Sequence, residues 1–425
     1  MTENVRVLAE GAFGRFIQSD RFNTTLMTFH FYSPLDSARM TEDALLPYLL
    51  TSCSDEYKSF TELNKKLLAL YGAELSCSVA KTGDYFHTRI GISVINNSFA
   101  FDGEDAVGEA AELLLSLIFA PAIEEGAFLP CDLDREKRKT LERIESEINN
   151  KRSFARSQLL SLMLPDDPYG KFIYGTAEEV ERITGEDMAR AWERFITESA
   201  IQFNVVAQNC PEAIFEMVAD RLSQFDRSGV VEIKASKRIT DAKEVKDLTA
   251  EMDVTQGKLV MGFTSELYGS MREALPLVIF SDIFGGGPYS YLFENVREKM
   301  SLCYYCSSSQ RRAKGLLIVD SGVEKENAER AFNAIMAELA GMQKGEIDPD
   351  KLTVSKRSVI DSIASYYDSA AALDNWYSAN LLDDDSLSVE EVISLINKIT
   401  LDDLVKAAGG IKLHTVYRLL PKEAR

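Results

Sequence analysis

The sequence predicts an α+β protein made of two homologous domains, each a mostly antiparallel or mixed β-sheet with helices packed on one face. Its 425 residues exceed the size of one ordinary domain, and a hydrophobic content of 45% is ample for two cores. Segments with strand-like alternation are interspersed with amphipathic helical segments in both halves. The order of these elements in the first half recurs in the second, which indicates a duplicated module.

The first half begins with β-rich segments and then changes to helical ones. A helix from Glu42 to Leu50 is followed by one from Phe60 to Leu70, which ends at the helix-stopping pair Tyr71-Gly72. The strands ELSCSVAK and DYFHTRIGISVI are expected to form a hairpin across Thr82-Gly83. The other predicted elements are strands in RFIQSD, FNTTLMTFHFYS and IQFNVVAQN, and helices at 105–119, 134–163 and in DMARAWERFI.

A polar segment separates the two halves. Residues 229–252 are charged and lack a firm apolar period, so we expect a linker there, between an N-terminal domain at 1–228 and a C-terminal domain at 253–425. When the two halves of the sequence are aligned so that Cys306 matches Cys77, predicted helices match helices and predicted strands match strands. The second half is predicted to contain strands in QGKLVMGFTS, LCYYCSSS and GLLIVDSGV, helices in MREALPLVIFSDIF and YLFENVREK, and a loop at GGGPYS.

Composition argues against several classes of partner and location. A net charge of −20 opposes binding to nucleic acid or to an anionic membrane surface. The first residues, MTENVRVLAEGAFG, show neither a secretory signal nor an Arg-rich presequence, and no run reaches the ~18 apolar residues of a membrane span. Six cysteines, mostly in apolar segments, make a disulfide framework improbable. We expect a cytoplasmic protein that binds neither nucleic acid nor membrane.

Histidine and cysteine, the usual metal ligands and nucleophiles, are sparse. No two of His30, His87 and His414 lie within four residues of each other, so no zinc-binding histidine pair can form on one helical turn. His30 and His87 fall within strand patterns and are expected to be core or edge histidines with satisfied hydrogen bonds. Cys303 and Cys306 form a CxxC pair, but residues i and i+3 of a strand point to opposite faces, which favours a structural role.

The glycine run Gly285-Gly286-Gly287 has two possible roles. It follows a predicted helix rather than a strand, and no Gly-Lys-Ser/Thr comes after it, so it is not a phosphate-binding loop. It is either a plain turn between helices or a stretch of unshielded backbone that binds the main chain of a peptide. A serine hydrolase is not supported, because the sequence has no G-x-S-x-G elbow.

Two blocks resemble the insulinase-like metallopeptidases, the family that includes pitrilysin and the mitochondrial processing peptidase. GGGPYSYLFENVREKMSLCYYCSSS looks like the glycine-rich loop, helix and strand of that family's C-terminal half, and Arg297 and Tyr304 match its Arg and Tyr. LPDDPYGKFIYGTAEEVERIT resembles the loop and helix after its zinc helices. The resemblance implies two domains that form a clam-shell around a peptide cavity, with Gly285, Gly286, Gly287, Arg297 and Tyr304 as peptide-binding residues.

The resemblance also implies that the zinc site has been lost. The family's H-x-x-E-H motif places two histidine ligands and a glutamate base on one helical face. The matching residues are Ala44-Leu45-Leu46-Pro47-Tyr48, so that Ala44, Pro47 and Tyr48 replace ligand, base and ligand. Arg143 takes the place of the third ligand, although Glu142 is one residue away, and an upstream acid survives as Glu136. We predict no metal, no cofactor and no catalytic activity of this chain alone.

We therefore expect the peptide-binding subunit of a heteromeric zinc protease, paired with an active paralogue that carries H-x-x-E-H. The alternative is a peptide-binding or structural scaffold, a homodimer without a protease partner. A third hypothesis, a hydrolase with a relocated carboxylate-only metal site, is motivated only by the abundance of acids, and carboxylates alone rarely select zinc.

Overall fold

Strands and helices alternate along the chain, which this computed structural model describes at residues 3–379 and 386–422. The strands coincide with alternating or β-branched segments, for which an extended backbone is favoured. They are β1 (Glu3–Ala9), β2 (Ala12–Gln18), β3 (Thr24–Pro34), β4 (Glu74–Thr82), β5 (Tyr85–Ile95), β6 (Ile123–Glu124), β7 (Ala127–Phe128), β8 (Ala200–Ala207), β9 (Lys246–Met252), β10 (Gly257–Thr264), β11 (Cys303–Arg311), β12 (Leu316–Val323) and β13 (Lys412–Pro421).

Many helices begin at a Ser, Thr, Asp or Asn whose side chain accepts a hydrogen bond from the first turn, and Thr176, Thr184, Ser388 and Thr400 form complete capping boxes. The helices are α1 (Met40–Leu50), α2 (Phe60–Ala69), α3 (Ala106–Phe119), α4 (Pro130–Asn149), α5 (Lys151–Met163), α6 (Ala177–Arg182), α7 (Gly185–Glu198), α8 (Glu212–Leu222), α9 (Met271–Gly285), α10 (Ala328–Gln343), α11 (Pro349–Ala364), α12 (Ala370–Ala379), α13 (Val389–Lys398) and α14 (Leu401–Gly409). Leu292–Lys299 is a π-helix, and 3₁₀ turns occur at Asn97–Phe99, Phe101–Gly103, Pro168–Gly170, Arg312–Lys314, Lys325–Asn327 and Ser365–Asp368.

Two compact units divide the chain. Unit 1 contains Met1–Ile144, Phe172–Lys234 and Tyr366–Leu381. Unit 2 contains Glu145–Lys171, Ala235–Ser365 and Leu382–Arg425. Each unit therefore includes a segment that lies, in sequence, within the other half of the chain.

The sheet of unit 1 has the strand order β1-β2-β8-β3-β5-β4 and is antiparallel except for the parallel pair β2 and β8. Both faces of β3 are buried. Met27, Phe29 and Phe31 point into the main core, which helices such as α1, α3, α7 and α8 share. His30 and Tyr32, on the opposite face, hydrogen-bond to α12. Apolar and polar side chains alternate along β3. The apolar ones thus face the main core, and the polar ones face α12, where they are also buried.

The sheet of unit 2 repeats this topology. Its order is β11-β12-β10-β13-β9, and its single parallel pair, β13 and β9, corresponds to β8 and β2. Helix α5 lies across β10 and β13, at the place that α12 occupies on β3 and β8. Gly262 of β10 permits this approach, because a Cβ there would lie 2.3 Å from Met163 Sδ on α5. The predicted α+β class is confirmed, with one helix added on the second face of each sheet.

The predicted domain limits need correction in two segments. The predicted N-terminal domain at 1–228 includes residues 145–171, which group with unit 2. The predicted C-terminal domain at 253–425 includes residues 366–379, which group with unit 1. The predicted single helix at 134–163 is interrupted at Asn150, whose backbone leaves the helical region (ψ 89°) and whose side chain caps α5 by accepting from Ser153 N. This break separates a helix of mainly unit 1 from one of unit 2.

The predicted linker at 229–252 contains a strand at its end. Lys246–Met252 forms β9, which pairs in parallel with β13. Most side chains of KDLTAEM are polar, which is typical of a linker. Here this composition reflects the position of the segment at an exposed sheet edge.

None of the helices among residues 3–379 and 386–422 combines the length and the hydropathy that a membrane-spanning helix requires.

Candidate functional site

The residues predicted to replace the zinc ligands lie on α1 and α4. Ala44 is fully buried and packs with Met40 and Phe86. Pro47 lies inside the helix, and Tyr48 follows Ala44 by four residues, so both share one helical face. Neither a methyl group nor a pyrrolidine ring can bind a metal ion or act as a base.

Arg143 of α4 fills the space next to these residues. Its guanidinium carbon lies 3.7 Å from the ring centroid of Tyr48 and 5.7 Å from that of Tyr174. The two tyrosine hydroxyls are hydrogen-bonded at 3.1 Å, and burial is the main reason that the pKa of Tyr48 is raised. A guanidinium on aromatic faces is a stable cation–π arrangement. The structure therefore brings the predicted residues Tyr48 and Arg143 together, with a fixed positive charge between phenol rings.

Glu142, the alternative to Arg143, points elsewhere. Its side chain is 68% exposed and pairs with Arg138 at 3.9 Å along the helix surface. Glu136 is buried, and its carboxylate accepts from Arg135 Nε at 3.2 Å and Lys139 Nζ at 2.9 Å. Glu136 is already neutralised by two cations, so the donor set does not fit a zinc ion.

Among residues 3–379 and 386–422, no group of three or more His, Cys, Asp or Glu side chains is arranged to hold a metal ion. The sequence analysis does not identify Asp43, which directly precedes Ala44. Burial raises the pKa of Asp43 to about 7, although the nearby charge of Arg194 acts to lower it. Its position in an ordinary helical segment carried no signal for this environment.

The glycine run lies at the end of α9 in unit 2. Gly285 is buried, and a Cβ there would lie 2.6 Å from the backbone nitrogen of Ser308 on β11, so its role is to let helix and strand approach. Gly286 is exposed and Gly287 is partly exposed. Asp282 holds the loop that follows, because its Oδ2 accepts from the hydroxyls of Tyr289 and Ser355, each at 2.5 Å.

Arg297 and Tyr304 line one pocket of unit 2 with a volume of about 350 Å³. Arg297 is on the π-helix, where it lies over the ring of Phe293 and 3.4 Å from Glu298. Tyr304 is 58% exposed, and its hydroxyl donates to Glu324, which raises the pKa of Tyr304. The predicted Arg and Tyr are thus brought to one place, whereas the glycines lie outside the pocket lining. The lining residues are Arg297, Glu298, Ser301, Leu302, Cys303, Tyr304, Glu324 and Asn327.

This pocket borders a sheet edge. Strand β11, which carries Cys303 and Tyr304, is the last strand of its sheet and pairs with β12 on one side. Strand β4 has the equivalent edge position in unit 1. An edge strand can accept an added extended strand, and side chains beside it can select the added chain.

The chain is similar to known proteins over most of its length. A family model described as Peptidase M16 inactive domain matches residues 182–359. The chain is 27% identical over 410 residues to the "Probable inactive metalloprotease YmfF" of Bacillus subtilis (strain 168), and the match covers 96% of each chain. It is 22% identical to the "Uncharacterized zinc protease YmxG" of the same strain, over 69% of this chain and 70% of that protein.

Solved structures give the same fold. A conserved protein from Enterococcus faecalis V583 superposes with a TM-score of 0.90 at 25% identity, covering 100% of this chain and 99% of that one. A peptidase M16 inactive domain from Pseudomonas fluorescens superposes with a TM-score of 0.81 at 16% identity, with full coverage of both chains.

Proposed function

We propose that this chain, a non-catalytic homologue of the M16 peptidases, is the peptide-binding subunit of a heteromeric zinc protease. The observation that carries the proposal is the pairing of Arg297 and Tyr304 in one pocket beside the edge strand β11, in a chain whose zinc positions hold Ala44, Tyr48 and Arg143. The described residues include groups that can bind a peptide, and the predicted zinc positions among them carry no metal ligand and no base.

The pocket offers both kinds of hydrogen-bonding group that a peptide requires. The guanidinium of Arg297 is 39% exposed and has several N–H donors for a carbonyl oxygen or an acidic side chain. The phenol oxygen of Tyr304 and the carboxylate of Glu324 can accept from a peptide N–H. A peptide strand added at β11 would form main-chain hydrogen bonds with it, and the pocket would bind one side chain of the peptide. Gly286 and Gly287 offer further exposed backbone.

The proposed partner is a related M16 zinc protease. The relatives named above include a probable inactive metalloprotease and a zinc protease from one strain of Bacillus subtilis, which supports a pairing of the two kinds of chain in one cell. In this proposal the partner supplies the zinc site and this chain supplies substrate binding. We place the complex in the cytoplasm, as the sequence predicts.

Peptidase activity on a set of fluorogenic peptides tests the proposal. This chain, a motif-bearing M16 paralogue from the same genome, and their mixture are assayed with and without a chelator. We expect chelator-sensitive activity that is much higher in the mixture than in the paralogue alone. Arg297→Ala should raise KM of the mixture, whereas Arg190→Ala, which removes a surface arginine paired with Asp187 along a helix, should leave it unchanged.

Two outcomes would contradict the proposal. Chelator-sensitive activity of this chain alone would show that it is an enzyme. No change of activity in any mixture, together with self-association measured by sedimentation, would instead support the peptide-binding or structural scaffold homodimer.

A further inference from the structure

The start of β11 contains a β-bulge that changes the geometry of its two cysteines. Cys303 pairs with Val323 and Cys306 pairs with Ser321, so four residues on β11 lie opposite three on β12, and Tyr304 is the extra residue. In a regular strand, residues i and i+3 point to opposite faces; one inserted residue restores the same face. The side chains of Cys303 and Cys306 consequently lie on the same face of the sheet. The sequence-based expectation of opposite faces is therefore wrong.

The two sulfur atoms are chemically unequal. Cys306 is buried, with 5% of its surface exposed, whereas Cys303 is partly exposed and lines the Arg297 pocket. Interaction with the thiol of Cys306 lowers the pKa of Cys303, and the charge of Arg297 acts in the same direction. The same interaction raises the pKa of Cys306. Ser321, which is buried, is the register partner of Cys306 on β12.

Other cysteines of the chain have a different environment. Burial raises the pKa of Cys53 and of Cys210 to about 11. Cys77, which the sequence aligns with Cys306, lies 3.4 Å from Thr51 Oγ1, and burial raises its pKa as well. A thiol of this kind reacts slowly, because the thiolate is the nucleophile.

We propose that Cys303 and Cys306 are a redox-active dithiol that reacts with small disulfides entering the Arg297 pocket. Cys303 is the attacking residue, because it is the accessible one beside a guanidinium. Cys306 is the resolving residue, because it is shielded from solvent and adjacent to Cys303. Arg297 favours disulfides that carry carboxylates. The edge position of β11 gives the backbone room for the movement that closing a short ring requires.

The reaction consists of two exchange steps. The Cys303 thiolate attacks one sulfur of the small disulfide, whose S–S bond breaks, and one small thiolate leaves with the electron pair. Cys306 then gives its proton to the small thiolate released in the first step, its sulfur attacks that of Cys303, and the second small thiolate leaves. Two protein thiols are oxidised by two electrons, and the small disulfide is reduced to two thiols. The ring that results encloses Tyr304 and Tyr305, so oxidation alters the pocket that Tyr304 lines.

Oxidised glutathione is the probe for the full-length chain. The tryptic peptide from Met300 to Arg311 contains both cysteines and no other, so its mass reports their state. After incubation in glutathione redox buffers and alkylation of remaining thiols, we expect this peptide to lose two hydrogens and to resist alkylation. Cys306→Ser should accumulate a glutathione adduct on Cys303, whereas Cys303→Ser should leave Cys306 unmodified. Cys77→Ser is the matched control and should behave as the unaltered chain does.

Two results would overturn the proposal. One is a Met300–Arg311 peptide that is alkylated at both cysteines after every redox buffer. The other is a glutathione adduct that persists on Cys303 of the unaltered chain without ring closure. The unaltered chain alone gives both readings, so the test does not depend on the folding of any variant, and it is independent of peptidase activity.

Discussion

The two sheets share a strand order and a covering helix, but the charges that hold that helix are reversed. In unit 1 the acid is on the helix. Asp374 of α12 accepts from His30 Nε2 at 2.8 Å and Arg89 Nε at 3.1 Å, both on strands, and from Asn204 Nδ2 at 2.9 Å. The side chains of His30 and Asp374 are 0% exposed.

In unit 2 the acid is on the sheet. Asp320 of β12 is 3% exposed and accepts from Arg152 Nε at 2.7 Å, and Arg156 Nη1 lies 3.7 Å from its other oxygen; both arginines are on α5. Arg152 and Arg156 also donate to Ser307 and Ser309 of β11. Their side chains remain 45% and 28% exposed.

We call the contacts of Asp374 the anchor of unit 1 and those of Asp320 the anchor of unit 2. The comparison shows that the first anchor is closed to water and the second is open to it. If the acid is removed in unit 1, a histidine and an arginine lose their partner in a buried site. If it is removed in unit 2, the long arginine side chains can turn towards solvent. The same helix contact is therefore expected to have unequal importance for stability in the two units.

The largest effect is expected for Asp374→Asn. Loss of the carboxylate charge leaves the guanidinium of Arg89 without its anion, and breaking a buried pair from one side costs about 3–5 kcal/mol. The free energy of unfolding, measured by urea denaturation, should fall by this amount. Asp368→Asn is the control, because Asp368 is 74% exposed and its pair with Arg21 contributes at most about 1 kcal/mol. Equal losses of unfolding free energy for the two substitutions would show that the buried contacts of Asp374 stabilise the protein no more than an exposed ion pair does.

The next effect is a dependence of the unit 1 anchor on pH. Burial alone would raise the pKa of Asp374, but His30, Arg89 and Asn204 lower it from its ordinary 3.8 to about 2. A carboxyl with a lowered pKa in the folded state stabilises the fold above pH 4, and this contribution is lost as pH falls towards 2. The difference in unfolding free energy between the unaltered chain and Asp374→Asn should shrink by about 2 kcal/mol over this interval. A constant difference would contradict the assignment.

A smaller effect is expected for Asp320→Asn in unit 2. The two arginines lose their acid but keep their serine partners and partial access to water, so the loss should be about 1–2 kcal/mol. Urea denaturation under the same conditions gives the ratio of the losses of unfolding free energy for Asp320→Asn and Asp374→Asn. A loss as large as that of Asp374→Asn would show that openness to solvent does not distinguish the two anchors.

The smallest effect is expected for Arg152→Ala. Its partly exposed guanidinium is screened by water, so its removal should lower the free energy of unfolding by about 1 kcal/mol or less. In a double-mutant cycle with Asp320→Asn, the coupling energy should account for most of this amount. A cycle without coupling would mean that Arg152 stabilises α5 by packing on Tyr305, whose ring centroid lies 4.3 Å from its guanidinium carbon.

Local pattern was enough to predict much of the fold. The hairpin of β4 and β5 follows from two alternating segments around Thr82-Gly83, and Gly83 does adopt the positive φ of such a turn. The predicted role of His30 and His87 as histidines with satisfied hydrogen bonds is confirmed, since their ring nitrogens lie 3.0 Å apart. The resemblance placed Tyr48 and Arg143 at one site, where the structure brings them together.

What escaped prediction depends on distant or subtle contacts. His30 and Asp374 are 344 residues apart, and nothing in the pattern of either segment identifies the other. The bulge at Tyr304 has no glycine or proline to mark it, so the meeting of Cys303 and Cys306 could not be read from their spacing. The strand β9 was missed because an exposed edge strand can have the composition of a loop.

The placement of α12 in unit 1 has a consequence for the order in which the chain folds during synthesis. The strands of the first sheet have all been made at Ala207, but Asp374 follows Asn204 by 170 residues. At roughly 5–20 residues per second, the ribosome needs roughly 10–30 seconds for that stretch. During this interval the nascent sheet presents His30 and Arg89 without their acid. The half of the protein that is synthesised first therefore waits for a late helix before its native packing can be complete.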